Sequence, residues 1–230
     1  FAGHETLVSA LSDGAAEVRA SAASWIARSK LDARAELRKA LAKEKNEAAR
    51  AAMMEALEAA GEPLDSLMQR DLLRGKATVI LGKIECPVLE WAEAAKLPPM
   101  HWADTRKVVD RDIARAWIAE TYKAKSPAPS PLLRLYARTI VKEGREAFAC
   151  ALLDAWIAHD TESQTSSAIG EKGVLAVVAA LGGAGIAERV ATFSKTHYGI
   201  RAAQCKALLQ MLATSTTKPR SSSSSRRRRA

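Results

Sequence analysis

Cysteine is scarce. Cys86, Cys150 and Cys205 are odd in number and far apart, so neither a disulfide framework nor a zinc site is suggested, and a reducing cytoplasm is the simplest setting. Aromatic residues make up only 5% of the chain and β-branched residues are sparse, which disfavours strands. Alanine dominates the apolar set and favours closely packed helices. No apolar run approaches the roughly 20 residues needed to cross a bilayer. The longest, from Gly173 to Ala187, stops at Lys172 and Glu188 and reads as a buried helix pair broken at Gly182-Gly183. An initiator methionine is lacking at Phe1, and no basic-then-apolar signal segment follows it, so a piece of a longer chain is expected.

An excess of one charge is lacking too, outside the C-terminus. The formal net charge is +9, but Lys218, Arg220, Arg226, Arg227, Arg228 and Arg229 contribute six of it, and residues 1–60 hold nine basic against nine acidic side chains. The body is therefore close to neutral and lacks the one-faced basic stripe of a dedicated nucleic-acid groove.

What is present is a repeat. A shift of 31 carries AAEVRASAASWIARS (15–29) onto NEAARAAMMEALEAA (46–60), placing Val18 on Ala49, Arg19 on Arg50, Ala22 on Met53 and Ile26 on Leu57. Leu7 and Leu11 match Leu37 and Leu41 at a shift of 30. A two-helix unit of this length buries its apolar stripe only against a neighbour, which predicts an all-α chain, an α-solenoid of antiparallel pairs. At 230 residues there is room for about five to six pairs.

The organisation follows: two repeats over 1–61, an irregular connecting segment over 62–105, degenerate helical repeats over 106–214, and a low-complexity Ser/Arg tail over 215–230. Helices are expected over 4–12, over 15–29 behind the cap Asp13, after Asp32, and after Asn46 up to Gly61. A helix over 64–73 is expected to give way at Gly75, and another to span 108–122. The stiff run Ser126–Pro131 ends with Ser130 as cap and Pro131 as first helical residue. Further helices are expected over 131–142, 145–159, 171–181, 184–196 and 200–213. The tripeptide Trp-Ile-Ala recurs at Trp25, Trp117 and Trp156, each placed on an apolar arc and read as core.

The first two units resemble HEAT repeats: leucines on the first helix, Asp13 in the turn, then Val18, Arg19 and Ala22 on the second. The second unit keeps Arg50 but has lysines and a glutamate in place of the aspartate, which leaves an Asp-to-Arg ladder between units unsupported there. From Leu97 to Ala213 the chain is similar to the helical central region of the bacterial MolR-like family, named for a molybdate-metabolism regulator. LPPMHW, FACALLDAWIAHD and EKGVLAVVAALGGAGIAERVATF carry that resemblance. It implies a helical repeat region that often accompanies a nucleic-acid-associated WGR domain, and it brings no assigned chemistry.

Chemical constellations are correspondingly thin. His4, His101, His159 and His197 are scattered, and His159-Asp160 reads as a helix end favoured by the dipole. Asp110 with Asp112, and Glu143 with Glu146, suit helix starts better than acid–base work. The glycines of GEKGVLAVVAALGGAG follow no strand and precede no Gly-Lys-Ser/Thr, so they mark a turn rather than a phosphate loop. No catalytic residue, cofactor or metal site is assigned, and no membrane partner.

The expected interaction surface is the polar arc Glu17, Ser21 and Arg28, with Glu55 on the second unit and Trp91 and Trp102 in the irregular segment. The leading expectation is a non-enzymatic scaffold or protein-interaction module, partnered by another protein or by flanking domains of its own chain. The alternative is nucleic-acid association, with the basic tail binding phosphates. That tail equally suits a shifted reading frame or an appended expression scar. HEAT-like enzymes, DNA glycosylases and lyases, need an inward-facing acid beside aromatics, which the sequence does not place.

Overall fold

The computed structural model describes residues 2–162 and 168–215, with side chains from Glu5 onward. Among them the regular elements are all helical: α1 (Ala2–Ala10), α2 (Ala16–Ser29), α3 (Arg34–Lys43), α4 (Glu47–Ala59), α5 (Leu64–Leu67), α6 (Arg70–Leu81), α7 (Val88–Ala94), α8 (Arg111–Ala124), α9 (Pro131–Arg138), α10 (Lys142–Glu162), α11 (Leu175–Leu181), α12 (Ala184–His197) and α13 (Ala202–Thr214). A 3-10 turn over Ala168–Val174 leads into α11. β pairing is confined to two isolated bridges, His101 with Val108 and Trp102 with Ile140. None of the described helices is long and apolar enough to cross a membrane.

Local chemistry sets a few of the boundaries. Asn46 accepts hydrogen bonds from the amides of Ala48 and Ala49 and opens α4, and Ser130 accepts from Leu133 with Pro131 in the first turn of α9. Asp13 accepts from the Ala15 amide at 2.8 Å but does not cap α2, whose N-cap position is Ala15 itself. Gly61 takes a φ of +95° that side chains resist, letting the Glu62 amide reach back to the Leu57 carbonyl and close α4.

Two further expectations fail locally. Asp32 does not cap α3; its carboxylate is held by Arg34 at 2.9 Å, two residues on. The helix expected to stop before Gly75 is instead the short α5 followed by α6, which runs through Gly75 to Leu81. Leu73 and Ala77 bury one face of α6, and its packing on α8 outweighs the roughly 1 kcal/mol that a mid-helix glycine costs.

The helices pack as a row: α2 on α4, α4 on α9, α9 on α11, and α11 on α13. α1 and α3 sit against α2 and α4, while α10 and α12 flank the far end. The chain between α4 and α9 leaves that row, and α6, α7 and the 3-10 turn pack on α8. Ile26, Met53, Leu57, Leu152, Leu153 and Trp156 are fully buried in one continuous core.

Trp25 corrects the reading of the three Trp-Ile-Ala tripeptides as core. It is 54% exposed, whereas Trp117 and Trp156 are buried. The buried arc of α2 runs through Ala22, Ala23 and Ile26, and α2 packs on α4. Trp25, one residue before Ile26, falls outside that buried arc. Val18, aligned with the buried Ala49, is likewise 41% exposed.

The two N-terminal units are joined by an ion pair where the aspartate is replaced. Arg19 donates to both oxygens of Glu44, at 2.6 and 2.9 Å, and to the carbonyls of Asp13 and Gly14. Glu44 also accepts from the amides of Lys45 and Asn46. The extra methylene of glutamate spans the gap, and the Arg19 guanidinium holds its carboxyl down at about 2. Because the folded state lowers this pKa, the stabilisation is present above the ordinary glutamate range and is lost as pH falls from about 5 towards 2. Replacing Glu44 by glutamine should cost about 1.5–3 kcal/mol at neutral pH. Urea midpoints at pH 7 and pH 3 should differ less in that variant than in the parent; an unchanged difference would show that Glu44 carries none of the acid sensitivity.

Candidate functional site

Between α3, α4, α6 and α9 lies a cleft of about 1140 Å³, with the exposed Glu120 of α8 in its lining. It arises because the chain leaves the row after α4 and α6 stands off from it. Leu72 and Val79, seven residues apart on α6, are 55% and 52% exposed and form an apolar wall. Leu41, Leu73, Leu132 and Tyr136 continue the apolar lining.

The charges around this cleft divide into paired and unpaired. Glu44 is held by Arg19, and Glu62 by Arg38 at 3.0 Å. Arg50 donates to the Leu41 carbonyl at 3.2 Å. Tyr136 has its phenol pushed up from the ordinary value, chiefly by burial. Glu47, in the first turn of α4, and Glu120 have no cation at ion-pair distance among the described residues. Glu120 is solvent-exposed on α8, and the neighbouring walls remove only part of its carboxyl's hydration. That loss of hydration, followed by repulsion from Glu47, pushes its pKa up to about 7 against a smaller opposing pull from Lys76. A carboxyl poised near neutrality in a cleft can exchange a proton or receive a cation.

Glu120 did not emerge from the sequence. It follows Trp117 by three residues, but the groups that shift it, Glu47 and Lys76, come from other helices. Glu120 and Tyr136 both line this cleft.

The residues anticipated as an interaction surface are dispersed. Glu17, Ser21 and Arg28 are exposed on α2 and Glu55 on α4, and the Arg28 guanidinium lies 4.7 Å from the Trp25 ring centre. Trp102 is corrected: it is only 4% exposed, covered by the Arg70 guanidinium at 4.6 Å and fixed by the pairing of residues 100–103 with 107–109 and 139–141. Arg70 is itself held by Asp65 and Asp104. Trp91 is partly buried, stacked on His159 at 5.3 Å, and donates from Nε1 to Glu171. His159 Nε2 lies 3.3 Å from the same carboxylate, so it ties α10 to the 3-10 turn rather than simply ending a helix. Lys218, Arg220 and Arg226–Arg229 lie outside the described residues.

A second cleft of about 700 Å³ surrounds Leu97-Pro98-Pro99, walled by Leu89, Ile118 and Phe148. Its rim carries the pairs Arg74–Asp110 and Arg115–Glu93. Among the described residues no cluster of three metal-ligating side chains occurs, and the three cysteines are free. Comparisons with protein-family models, with curated proteins and with solved structures find no match.

Proposed function

We propose that this chain is a HEAT-like α-solenoid acting as a cytoplasmic, non-enzymatic interaction module, part of a larger MolR-like bacterial protein, and that the α3–α4–α6–α9 cleft receives a segment of a partner protein. The solenoid reading draws on the 31-residue self-alignment, the Arg19–Glu44 link between units and the row from α2 to α13. The observation that carries the docking reading is the wall of α6, where Leu72 and Val79 stand more than half exposed inside a concave, mixed-charge site. Apolar side chains held open in a groove mark a place for another chain's apolar side chains.

Peptides selected from a displayed random library against the chain should lose at least tenfold in affinity for the double variant Leu72→Ser, Val79→Ser. Both side chains are surface-exposed, so the fold should be unaffected. Equal affinity for parent and double variant would remove the cleft as the docking site.

Glu120 favours a second reading, a HEAT-like enzyme such as a DNA glycosylase or lyase with this carboxyl as general acid or base. That reading requires turnover of a substrate to vanish in Glu120→Gln while binding persists. The near-neutral charge of the folded body speaks against a duplex-binding groove, and nucleic-acid association rests on the tail alone.

A further inference from the structure

We propose that the second cleft, beside Leu97-Pro98-Pro99, binds a small molecule with an apolar body and one anionic group such as a carboxylate. No residue lines both this cleft and the one walled by Leu72 and Val79, so the inference stands apart from the docking reading.

The walls decide the body of the ligand. Ala92 of α7, Met100 and Val109, Ala114 and Ile118 of α8, and Phe148 of α10 all line the cleft and are themselves buried. Its volume of about 700 Å³ falls in the range of clefts that enclose a small organic molecule. The irregular segment on one side is already held in place: the Val109 amide donates to the Met100 carbonyl at 2.8 Å, and the Val141 amide to the His101 carbonyl at 2.8 Å. Pro98 and Pro99 carry no amide hydrogen, and Val109 has spent its own on Met100, so these three positions offer a ligand no donor. Such a wall suits a hydrocarbon or aromatic body.

The rim decides the charge. Four basic side chains line the cleft, Arg74, Lys96, Arg111 and Arg115, against two acidic ones, Glu93 and Asp110. Both acids are taken: Asp110 by Arg74 at 2.8 Å and Glu93 by Arg115 at 2.9 Å. Arg115 also holds Asp112, just outside the lining, at 2.9 Å. Among the described residues Lys96 and Arg111 have no carboxylate at ion-pair distance. The lining therefore carries two positive charges in excess, and still one when Asp112 is included.

A cationic ligand would find every carboxylate engaged and two free cations opposing it. A neutral one would gain from the walls alone, and an anionic group gains Lys96 and Arg111 besides. Because these two side chains are exposed, they set a preference that salt screens, while the apolar walls supply most of the affinity.

The test titrates the full chain by calorimetry, at neutral pH and low salt, with octanoate, octanol and octylammonium, which share one apolar body. Octanoate should bind about tenfold more tightly than octylammonium and about threefold more tightly than octanol, with the gap narrowing in high salt. In the double variant Lys96→Gln, Arg111→Gln, octanoate should fall to about the affinity of octanol, which itself stays as in the parent; both substituted side chains are exposed, so the fold is kept. Ala114→Leu adds bulk inside the cleft and should weaken octanoate and octanol alike. Should that variant not fold, Val108→Glu serves in its place: Val108 lines the cleft, is 59% exposed, and as glutamate should weaken octanoate but not octanol. The proposal is overturned if octanoate does not bind, if the three ligands bind alike, or if octanoate is held equally by the parent and the charge variants. Cosedimentation with phosphatidylglycerol vesicles without any heat from free octanoate would assign these cations to a lipid surface and overturn it as well.

Discussion

Replacing Asp160 by alanine is expected to destabilise the chain by about 3 kcal/mol, while asparagine at the same position should cost markedly less. Asp160 lies on α10 with no exposed surface, yet it is fully occupied. Oδ2 accepts from Arg201 at 2.6 Å, and Oδ1 accepts from the Ala168 amide at 2.8 Å and from Gln204 at 3.1 Å. The residue thus pins the start of the 3-10 turn and α13 to α10. Alanine would leave the Ala168 amide buried without this acceptor and take the counter-charge from Arg201, whose side chain keeps only a fifth of its exposure to find water. Asparagine keeps one accepting oxygen for the Ala168 amide and Gln204, and loses the charge and the acceptor that faces Arg201. Chemical denaturation of the parent and both variants decides it, and equal losses for alanine and asparagine would mean that the hydrogen bonds to this side chain carry no weight.

A comparable loss is expected for Gly173→Ala, about 3 kcal/mol, towards the upper end of what overpacking costs. Gly173 sits in the 3-10 turn directly against α8, and a Cβ there would overlap the Thr121 carbonyl oxygen and crowd the Lys125 amide. Both obstacles are backbone atoms at the end of α8, so no side chain can swing aside. The turn would have to withdraw from α8, carrying α11 with it. Gly170, three residues earlier in the same turn, has open space where a Cβ would go and provides the internal control. If Gly170→Ala and Gly173→Ala lower the thermal midpoint equally, the contact with Thr121 is not the cause.

The helical character was readable from spacing, because a helix that buries one face repeats its apolar residues whatever it packs on. Capping was readable for the same reason: the interaction of Asn46 with Ala48 and Ala49, or of Ser130 with Leu133, spans only two or three residues. Asp32 shows the limit of even that rule, since the nearby Arg34 takes the side chain that a cap requires. Trp25 and Trp102 were misread in opposite directions. The helical arc placed Trp25 within one residue of the buried stripe, and the contact with α4 then selected Ala22, Ala23 and Ile26 instead. Trp102 sits in a stretch without helical period, where only the bridges to Val108 and Ile140 and the cover of Arg70 bury it.

By itself, then, the sequence determined an all-helical chain, the ends of many of its helices, the repeat that puts Ile26 and Leu57 in the core, and the near-neutral body beneath a basic tail. All of these depend on neighbours along the chain or on composition. Tertiary structure decided the rest. It set α9 as well as the short α5 against α4 and left α6 to pack on α8, and so opened the cleft. It set Glu44 opposite Arg19 across the two N-terminal units, and it brought Glu47 of α4 and Glu120 of α8 into the lining of one cleft. The physical reason is that a carboxyl's charge state and a side chain's exposure depend on water and on charges a few ångströms away, and in this chain those neighbours come from helices far apart in sequence.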